Sequence, residues 1–130
     1  MRISSCVAVV AALLASQARA ADQALIDAAK KEGKVVWYTT QIIDQLARPA
    51  AQAFEKKYGV RVAYVRADSA EIALRISNEA RAGRIEADIF DGSAAVAALR
   101  KEGLVLPHAH EGAARLPARY RDPDNFWTAH

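Results

Sequence analysis

The pattern of apolar and polar positions centres on an uninterrupted apolar run, VVWYTT at residues 35–40, which ends in two hydroxyl side chains. A continuous apolar run is typical of a strand that is covered on both faces, as in a parallel sheet. In open α/β sheets, ligands bind beyond the carboxyl ends of the strands. The pattern therefore places the first candidate ligand contacts at Thr39 and Thr40.

From residue 23 onward the chain repeats one pattern: an amphipathic helix, a basic last turn, a glycine and an apolar strand. The basic residues place positive charge beside the negative end of the helix dipole, and each glycine can end its helix by adopting the left-handed conformation. Such alternation with short links predicts an α/β fold with a parallel sheet. We predict helices at about 23–32, 43–58, 69–82 and 94–102, and strands at 35–40, 60–65 and 87–90.

Local features refine the predicted helices. Pro49 lies inside the second helix, and because an interior proline costs ~3 kcal/mol or more, we expect a kink or a new start there. Asp22 and Asp68 are placed to cap the first and third helices, and Glu71 follows Asp68 at the capping-box spacing. The residues expected on buried faces are Ala50, Ala53, Phe54 and Tyr58 in the second helix, and Ile72, Ile76 and Ala80 in the third.

Three strand–helix junctions are expected to meet at one edge of the sheet, because right-handed crossovers bring the carboxyl ends of parallel strands together. Free backbone N–H groups and the positive end of a helix dipole favour anions at such junctions. Asp91 would orient a loop or accept a hydrogen bond from a ligand hydroxyl, and the other candidates would donate to the ligand. The candidate ligand-binding residues are Thr39, Thr40, Gln41, Ser69, Asp91, Gly92 and Ser93.

Capping is the alternative role for polar residues at these junctions. Asp68 and Ser93 belong to the residue types that most often cap helices, so both could act only in that way. Thr39 and Thr40 are harder to explain as caps, since two hydroxyls end an otherwise apolar strand. The sequence pattern does not decide between the two roles for Asp68 and Ser93.

The first twenty residues have the form of a secretory signal peptide. Arg2 gives a positive start, residues 7–14 form a short apolar core, and residues 18–20 are an A-x-A cleavage site. The core is far shorter than the ~20 apolar residues that span a bilayer; the alternative is a buried N-terminal helix. We therefore expect a signal peptide at 1–20, a periplasmic mature chain at 21–130, and no membrane insertion after cleavage.

Cleavage would remove the charge excess and the single cysteine. Arg2 and Arg19 are the only charged residues before residue 21, so the formal net charge falls from +3 to +1. Cys6 precedes the apolar core, whereas a lipid-anchoring cysteine would follow it. We expect no disulfide, no cysteine nucleophile, no lipid anchor and no electrostatic basis for nucleic acid binding.

Metal and catalytic sites are not indicated by the remaining polar residues. His108 and His110 could share one face of a strand, but zinc requires three or four ligands, and a solvated loop is the preferred interpretation. Asp88 and Asp91 could be paired acids, but neither has a histidine or lysine partner at a readable spacing, so structural roles are predicted for both. Arg75 could reach an anion, but a solvated helix face is the preferred interpretation. The sequence contains no phosphate-binding glycine loop and neither G-x-S-x-G nor H-E-x-x-H. We predict no metal, no cofactor and no enzymatic activity.

Several stretches together carry a family resemblance. They include AKKEGKVVWYTT at 29–40, AFEKKYGV at 53–60, KEGL at 101–104 and the DPD sequence at 122–124 followed by Trp127. With the predicted leader, the chain resembles the periplasmic solute-binding proteins of ABC importers, in the branch that includes ferric-iron-binding proteins. The resemblance implies a monomeric, bilobal type II binding-protein fold, whose lobes close by a hinge around a ligand that is passed to permease subunits.

The resemblance also implies limits. Family members are well over twice as long, so residues 21–130 would be the N-terminal part of lobe one, incomplete at the C-terminus; a strand pattern that starts at 126–128 agrees. Iron-binding members usually carry a histidine just after the first strand, where this chain has Gln41, and a tyrosine pair from lobe two. The ferric ligand set is therefore unsupported, and hydroxyl and N–H groups would suit a carboxylate, a phosphate or another anion.

The leading hypothesis is thus a periplasmic receptor for a small, anionic solute. The alternatives are an enzyme on a similar two-lobed fold, or a truncated remnant that binds nothing. An enzyme would need a nucleophile or a paired acid and base, and the sequence indicates neither.

Overall fold

The computed structural model describes residues 23–129, apart from the side chain of Glu111. The predicted signal peptide, the Asp22 cap and His130 lie outside the described residues. Within this part of the chain, no helix has both the length and the apolar character needed to cross a bilayer. The elements are α1 over residues 23–32, β1 Lys34–Thr39, α2 Arg48–Tyr58, β2 Arg61–Arg66, α3 Ser69–Arg81, β3 Ile89–Phe90 and α4 Ser93–Lys101.

The three strands form one parallel sheet in the order β2-β1-β3, which confirms the predicted α/β fold. β1 pairs with β2 along its whole length, and Thr39 faces Arg66 at the carboxyl end of this pairing. The chain leaves β1 in one direction to reach β2 and crosses back over β1 to reach β3. With right-handed crossovers, α2 and α3 therefore lie on opposite faces of the sheet.

β3 is shorter than the strand predicted at 87–90, because a side chain replaces part of the ladder. The N–H of Asp88 donates to the carbonyl of Val36 at 3.0 Å, and the Asp88 carboxylate accepts from the N–H of Val36 at 2.8 Å. The carboxylate thus takes the place of a strand carbonyl. The structural role predicted for Asp88 is confirmed.

The second helix has the predicted break but not the predicted buried face. A π-helical turn, Ile43–Ala47, precedes α2, and Pro49 lies in the first turn of α2. The buried positions are Ala47 and Ala51, which are 0% and 5% exposed. Because alanine recurs at positions 47, 50, 51 and 53, several sides of this helix look equally apolar in the sequence. Three residues predicted to be buried are instead exposed: Ala50, Ala53 and Phe54.

The main core lies between β1 and the helix pair α3 and α4. Its polar margin is the Tyr38 hydroxyl, which donates to the Glu79 carboxylate at 2.6 Å. The stripe predicted for α3 is confirmed at Ile72 and Ile76, while Ala80 is partly exposed. The buried members of the core are Val36, Tyr38, Ile72, Ala73, Ile76, Ala95 and Leu99.

After α4, the chain forms turns and 3₁₀ helices at Glu111–Arg115 and Ala118–Tyr120. Arg100 ties this region to α4 through ion pairs to Asp122 at 3.3 Å and Asp124 at 3.0 Å. The strand start predicted at 126–128 is a single antiparallel bridge between Arg121 and Thr128.

Candidate functional site

Asp91 joins the end of β1 to the loop that follows β3. One carboxylate oxygen accepts hydrogen bonds from the Trp37 indole N–H at 3.0 Å and the Thr39 hydroxyl at 2.5 Å. The other oxygen accepts from the N–H of Thr40 at 2.8 Å and from its hydroxyl at 2.6 Å. Four donors from one segment therefore converge on a single carboxylate, which fixes the junction after β1 against the junction after β3.

The electrostatics of Asp91 follow from these donors. Burial by itself would raise the pKa of the carboxyl, because it disfavours the charged form. The hydrogen bonds from Thr39, Thr40 and Trp37 outweigh burial and hold the pKa of Asp91 below its ordinary value of 3.8. Asp91 is therefore an ionised acceptor that is already engaged by protein donors. Of the two roles predicted for it, this favours orienting a loop over accepting from a ligand hydroxyl.

The two threonines differ in what they can offer to a ligand. Thr39 is 0% exposed, and its hydroxyl both donates to Asp91 and accepts from the N–H of Gln41 at 3.0 Å. Thr40 is partly exposed and lines a surface depression at this edge. Thr39 therefore positions its neighbours, and Thr40 is the threonine that can reach solvent.

Gly92 is the point at which the three junctions touch. A Cβ at this position would lie 2.6 Å from the Ser69 hydroxyl oxygen and 3.1 Å from Thr40 Cγ2. The backbone φ of Gly92 is +120°, a conformation that side chains other than hydrogen strongly disfavour. Both observations require glycine at this position. The close approach of Gly92 to Ser69 and Thr40 shows that the junctions after β1, β2 and β3 meet, as predicted.

Ser69 and Ser93 have roles that the sequence does not reveal. The Ser69 hydroxyl accepts a hydrogen bond from the N–H of Ala95 at 2.9 Å, so α3 supplies the cap for the neighbouring helix α4. The capping alternative is wrong for Ser93, because Gly92 occupies the N-cap position and α4 already includes Ser93. Ser93 is exposed, and its hydroxyl has no hydrogen-bond partner among residues 23–129.

Capping is confirmed for Asp68. Its carboxylate accepts from the N–H of Glu71 at 2.9 Å at the start of α3. Asp68 is exposed and also lines the depression. Capping and contact with a ligand are therefore compatible for this residue.

Arg66 is a further residue of this edge that was not among the candidates predicted from the sequence. It ends β2, and its Nε donates to the carbonyl of Gln41 at 3.1 Å. With Thr40, Ala67, Asp68, Ser69 and Glu71 it lines a depression of about 440 Å³. Its place at the end of a strand was the available signal, because the same rule selected Thr39 and Thr40.

The disfavoured candidates have structural contacts. Nδ1 of His110 accepts from the N–H of Ala113 at 3.1 Å and so caps the first 3₁₀ helix. Arg75 is more than a solvated residue, since it pairs with Glu79 at 3.0 Å and lies over the ring of Tyr38 at 4.5 Å. Within residues 23–129, no three His, Cys, Asp or Glu side chains are grouped so that they could hold a metal ion.

Comparison with known proteins finds similarity at the level of structure. The chain matches a Trichodesmium protein, IdiA or FutA in complex with iron and citrate, with a TM-score of 0.63 and 23% identity. It matches AfuA, a periplasmic binding protein from Actinobacillus pleuropneumoniae with bound fructose-6-phosphate, with a TM-score of 0.62 and 22% identity. Iron-bound HitA from Pseudomonas aeruginosa gives a TM-score of 0.60 and 20% identity. No protein-family model and no curated protein matches the sequence.

These matches cover 74%, 70% and 71% of this chain, respectively, but only 30%, 28% and 30% of the solved chains. The neighbours are ferric-binding and periplasmic solute-binding proteins. The chain thus has the parallel α/β architecture of part of the periplasmic binding-protein fold, and it spans about 30% of the length of the proteins that it matches.

Proposed function

We propose that this chain is the N-terminal part of lobe one of a periplasmic substrate-binding protein, which captures a small anionic solute and delivers it to the permease of an ABC importer. The fold supports the class, since its structural neighbours bind solutes: iron with citrate, iron, and fructose-6-phosphate. The observation that carries the proposal is the convergence of three strand–helix junctions at one sheet edge, where Asp91 bonds to the junction after β1 and Gly92 closely approaches Ser69 and Thr40.

The proposed contacts divide into two groups. Thr39 and Asp91 hold the junctions in place through buried or fully used polar groups. The residues proposed to donate to the solute are Gln41, Ser69, Gly92 and Ser93, which are partly or fully exposed at these junctions. Thr40 borders the same site, but its N–H and hydroxyl already donate to Asp91. Backbone N–H groups at the starts of α3 and α4 add a positive electrostatic contribution that favours an anion over a neutral solute.

An anion is also a better proposal than bare ferric iron for this part of the protein. Ferric iron requires several anionic or imidazole ligands, whereas Thr40, Ser69 and Ser93 offer hydroxyls, and Gln41 replaces the family's usual histidine. Binding alone, without catalysis, is proposed because the carboxylate at the centre, Asp91, is occupied by structural donors.

The test is a binding panel on the protein as its gene encodes it. Fructose-6-phosphate, citrate, inorganic phosphate and ferric chloride would be compared by thermal shift and calorimetry, and backbone amide NMR spectra would locate the contacts. We expect an anion to raise Tm, as any ligand of the native state must, and to shift the amides of Thr40, Ser69 and Gly92. The proposal fails if no probe binds, or if the shifted amides lie elsewhere.

A charge variant sharpens this test. Ser93→Asp places a negative charge at the proposed site, and Ala53→Asp places one on an exposed position of α2, which packs on the other face of the sheet. We expect Ser93→Asp to weaken anion binding about fivefold or more, and Ala53→Asp to leave it nearly unchanged, because exposed charges act mainly at short range. Equal effects of the two variants would contradict the proposed location.

A further inference from the structure

Arg66 is a cation that the protein anchors but does not neutralise. Its Nε donates to the backbone carbonyl of Gln41, which fixes the guanidinium beside the carboxyl end of β1. In the described part of the chain, no carboxylate forms an ion pair with Arg66. Four other arginines do pair with an acid: Arg48, Arg75, Arg84 and Arg100.

The anchored geometry leaves the outer nitrogens of Arg66 available. A guanidinium has a planar fork of donors, and only Nε is used here, so Nη1 and Nη2 can donate to a carboxylate or phosphate. The depression that Arg66 lines has a volume of about 440 Å³, which is within the range of sites for small molecules. An anionic group seated in it would pair with a guanidinium that forms no ion pair in the described part of the chain.

The same depression contains two exposed acidic side chains, Asp68 and Glu71. Their carboxylates would repel a compact, highly charged anion that filled the whole depression. They would instead accept hydrogen bonds from ligand hydroxyls, since an ionised carboxylate is an acceptor only. The charge pattern therefore favours a ligand that carries an anionic group at one end and hydroxyl groups beside it.

We propose, on the basis of the function proposed above, that Arg66 makes this site selective for anionic ligands and that the solute is a hydroxylated anion. Arg66 binds the anionic group through Nη1 and Nη2. Asp68 and Glu71 accept from the adjacent hydroxyls, and Thr40 also lines the depression. A sugar phosphate and a sugar acid share this chemistry.

The experiment compares ligands that separate the two features. Fructose-6-phosphate and gluconate carry both an anionic group and hydroxyls, fructose carries only hydroxyls, and inorganic phosphate lacks the hydroxyl chain. Each is titrated by calorimetry into the protein as its gene encodes it, with amide spectra to locate the contact. We expect fructose-6-phosphate or gluconate to bind at least about tenfold more tightly than either fructose or phosphate.

Two variants with the same change of charge test the role of Arg66. Arg66→Gln removes the cation at the carboxyl end of β2, and Arg61→Gln removes one at the opposite end of the same strand. We expect Arg66→Gln to abolish the preference for the anionic sugar over fructose and Arg61→Gln to retain it. Thermal unfolding of both variants confirms that they are folded before the affinities are compared.

The outcomes distinguish this inference from the proposed function. A preference that survives Arg66→Gln overturns the role of Arg66, although ligand-dependent shifts at Thr40 and Ser69 would still support the binding edge. Inorganic phosphate that binds as tightly as the hydroxylated anions overturns the ligand class. If no probe shifts those amides, the proposed function itself fails and the inference fails with it.

Discussion

At the scale of single residues, the carboxylate of Asp91 organises much of the candidate site. It accepts from Trp37, Thr39 and Thr40, all of which come from the end of β1 and the residue after it. None of these donors is close to Asp91 in the sequence. An acid at the end of a short apolar strand was visible, but its partners depend on strand order and register, which the local pattern does not contain.

Replacing Asp91 with asparagine should destabilise the fold while conserving the shape of the side chain. The amide NH₂ would face hydrogen-bond donors in place of an acceptor oxygen, so we expect a loss of about 2–4 kcal/mol in the free energy of unfolding. Urea titration followed by circular dichroism gives the value. The control is Asp44→Asn, since Asp44 is 70% exposed and pairs with Arg48 on the surface; it should cost about 0.5 kcal/mol or less. Equal losses would contradict the central role of Asp91.

Acid should remove the contribution of Asp91. The pKa of this carboxyl is held below 3.8 in the folded protein, so the unfolded chain binds the proton more tightly. Stability from Asp91 is therefore complete above the unfolded pKa and is lost as the pH falls through it towards the folded pKa. We expect the stability difference between wild type and Asp91→Asn to be constant from about pH 7 to about pH 5 and to shrink below that. A difference that does not vary with pH would show that shape, and not charge, is responsible.

At the scale of elements, acidic side chains accept hydrogen bonds from backbone N–H groups that the small sheet does not pair. The Glu55 carboxylate in α2 accepts from the N–H of Val62 in β2 at 2.8 Å. Asp88 does the same for Val36, and Glu79 accepts from the N–H of Glu86 at 3.0 Å. A polar residue on the packed side of a helix, such as Glu55, hides the helical period and adds to the ambiguity that the recurring alanines already give to the face of α2.

The corrected face of α2 makes a direct prediction. Ala51→Asp would bury a charge at a position that is 5% exposed, and we expect a loss of about 3 kcal/mol or more in the free energy of unfolding. Ala53→Asp, on the exposed side of the same helix, should change it by about 0.5 kcal/mol or less. Chemical denaturation of the two variants measures both changes in the free energy of unfolding. The reverse order would restore the face predicted from the sequence.

The predictability of the elements follows from the range of their determinants. Pro49 and Asp68 act within a few residues, so the break before α2 and the cap of α3 could be predicted. The caps of α4 and the anchoring of Arg66 depend on residues 25 or 26 positions away, Ser69 to Ala95 and Arg66 to Gln41. The candidate edge could thus be located from the sequence, whereas the assignment of its side chains could not.

At the scale of the whole molecule, the alternation of strands and helices predicted a parallel α/β sheet, and the three strands of the structure confirm it. The architecture matches part of the periplasmic binding-protein fold over 74% of this chain and 30% of the Trichodesmium protein. The convergence of junctions after β1, β2 and β3 was predictable for the same reason, because parallel strands with right-handed crossovers share one carboxyl edge. Ligand identity depends on side-chain charges at that edge and on any residues that face it.

Export is the last prediction and concerns the chain as a whole. If residues 1–20 act as a signal peptide, expression with the leader in a Gram-negative host should give a periplasmic product that begins at Ala21, because cleavage follows small residues at positions 18 and 20. N-terminal sequencing and intact mass measure this directly. Ala20→Arg should block cleavage and leave the product membrane-associated with its leader intact, whereas Ala21→Arg should alter cleavage much less. A product that keeps Met1 in the wild type, or remains in the cytoplasm, would contradict a periplasmic receptor, since the solute would then be captured on the wrong side of the membrane.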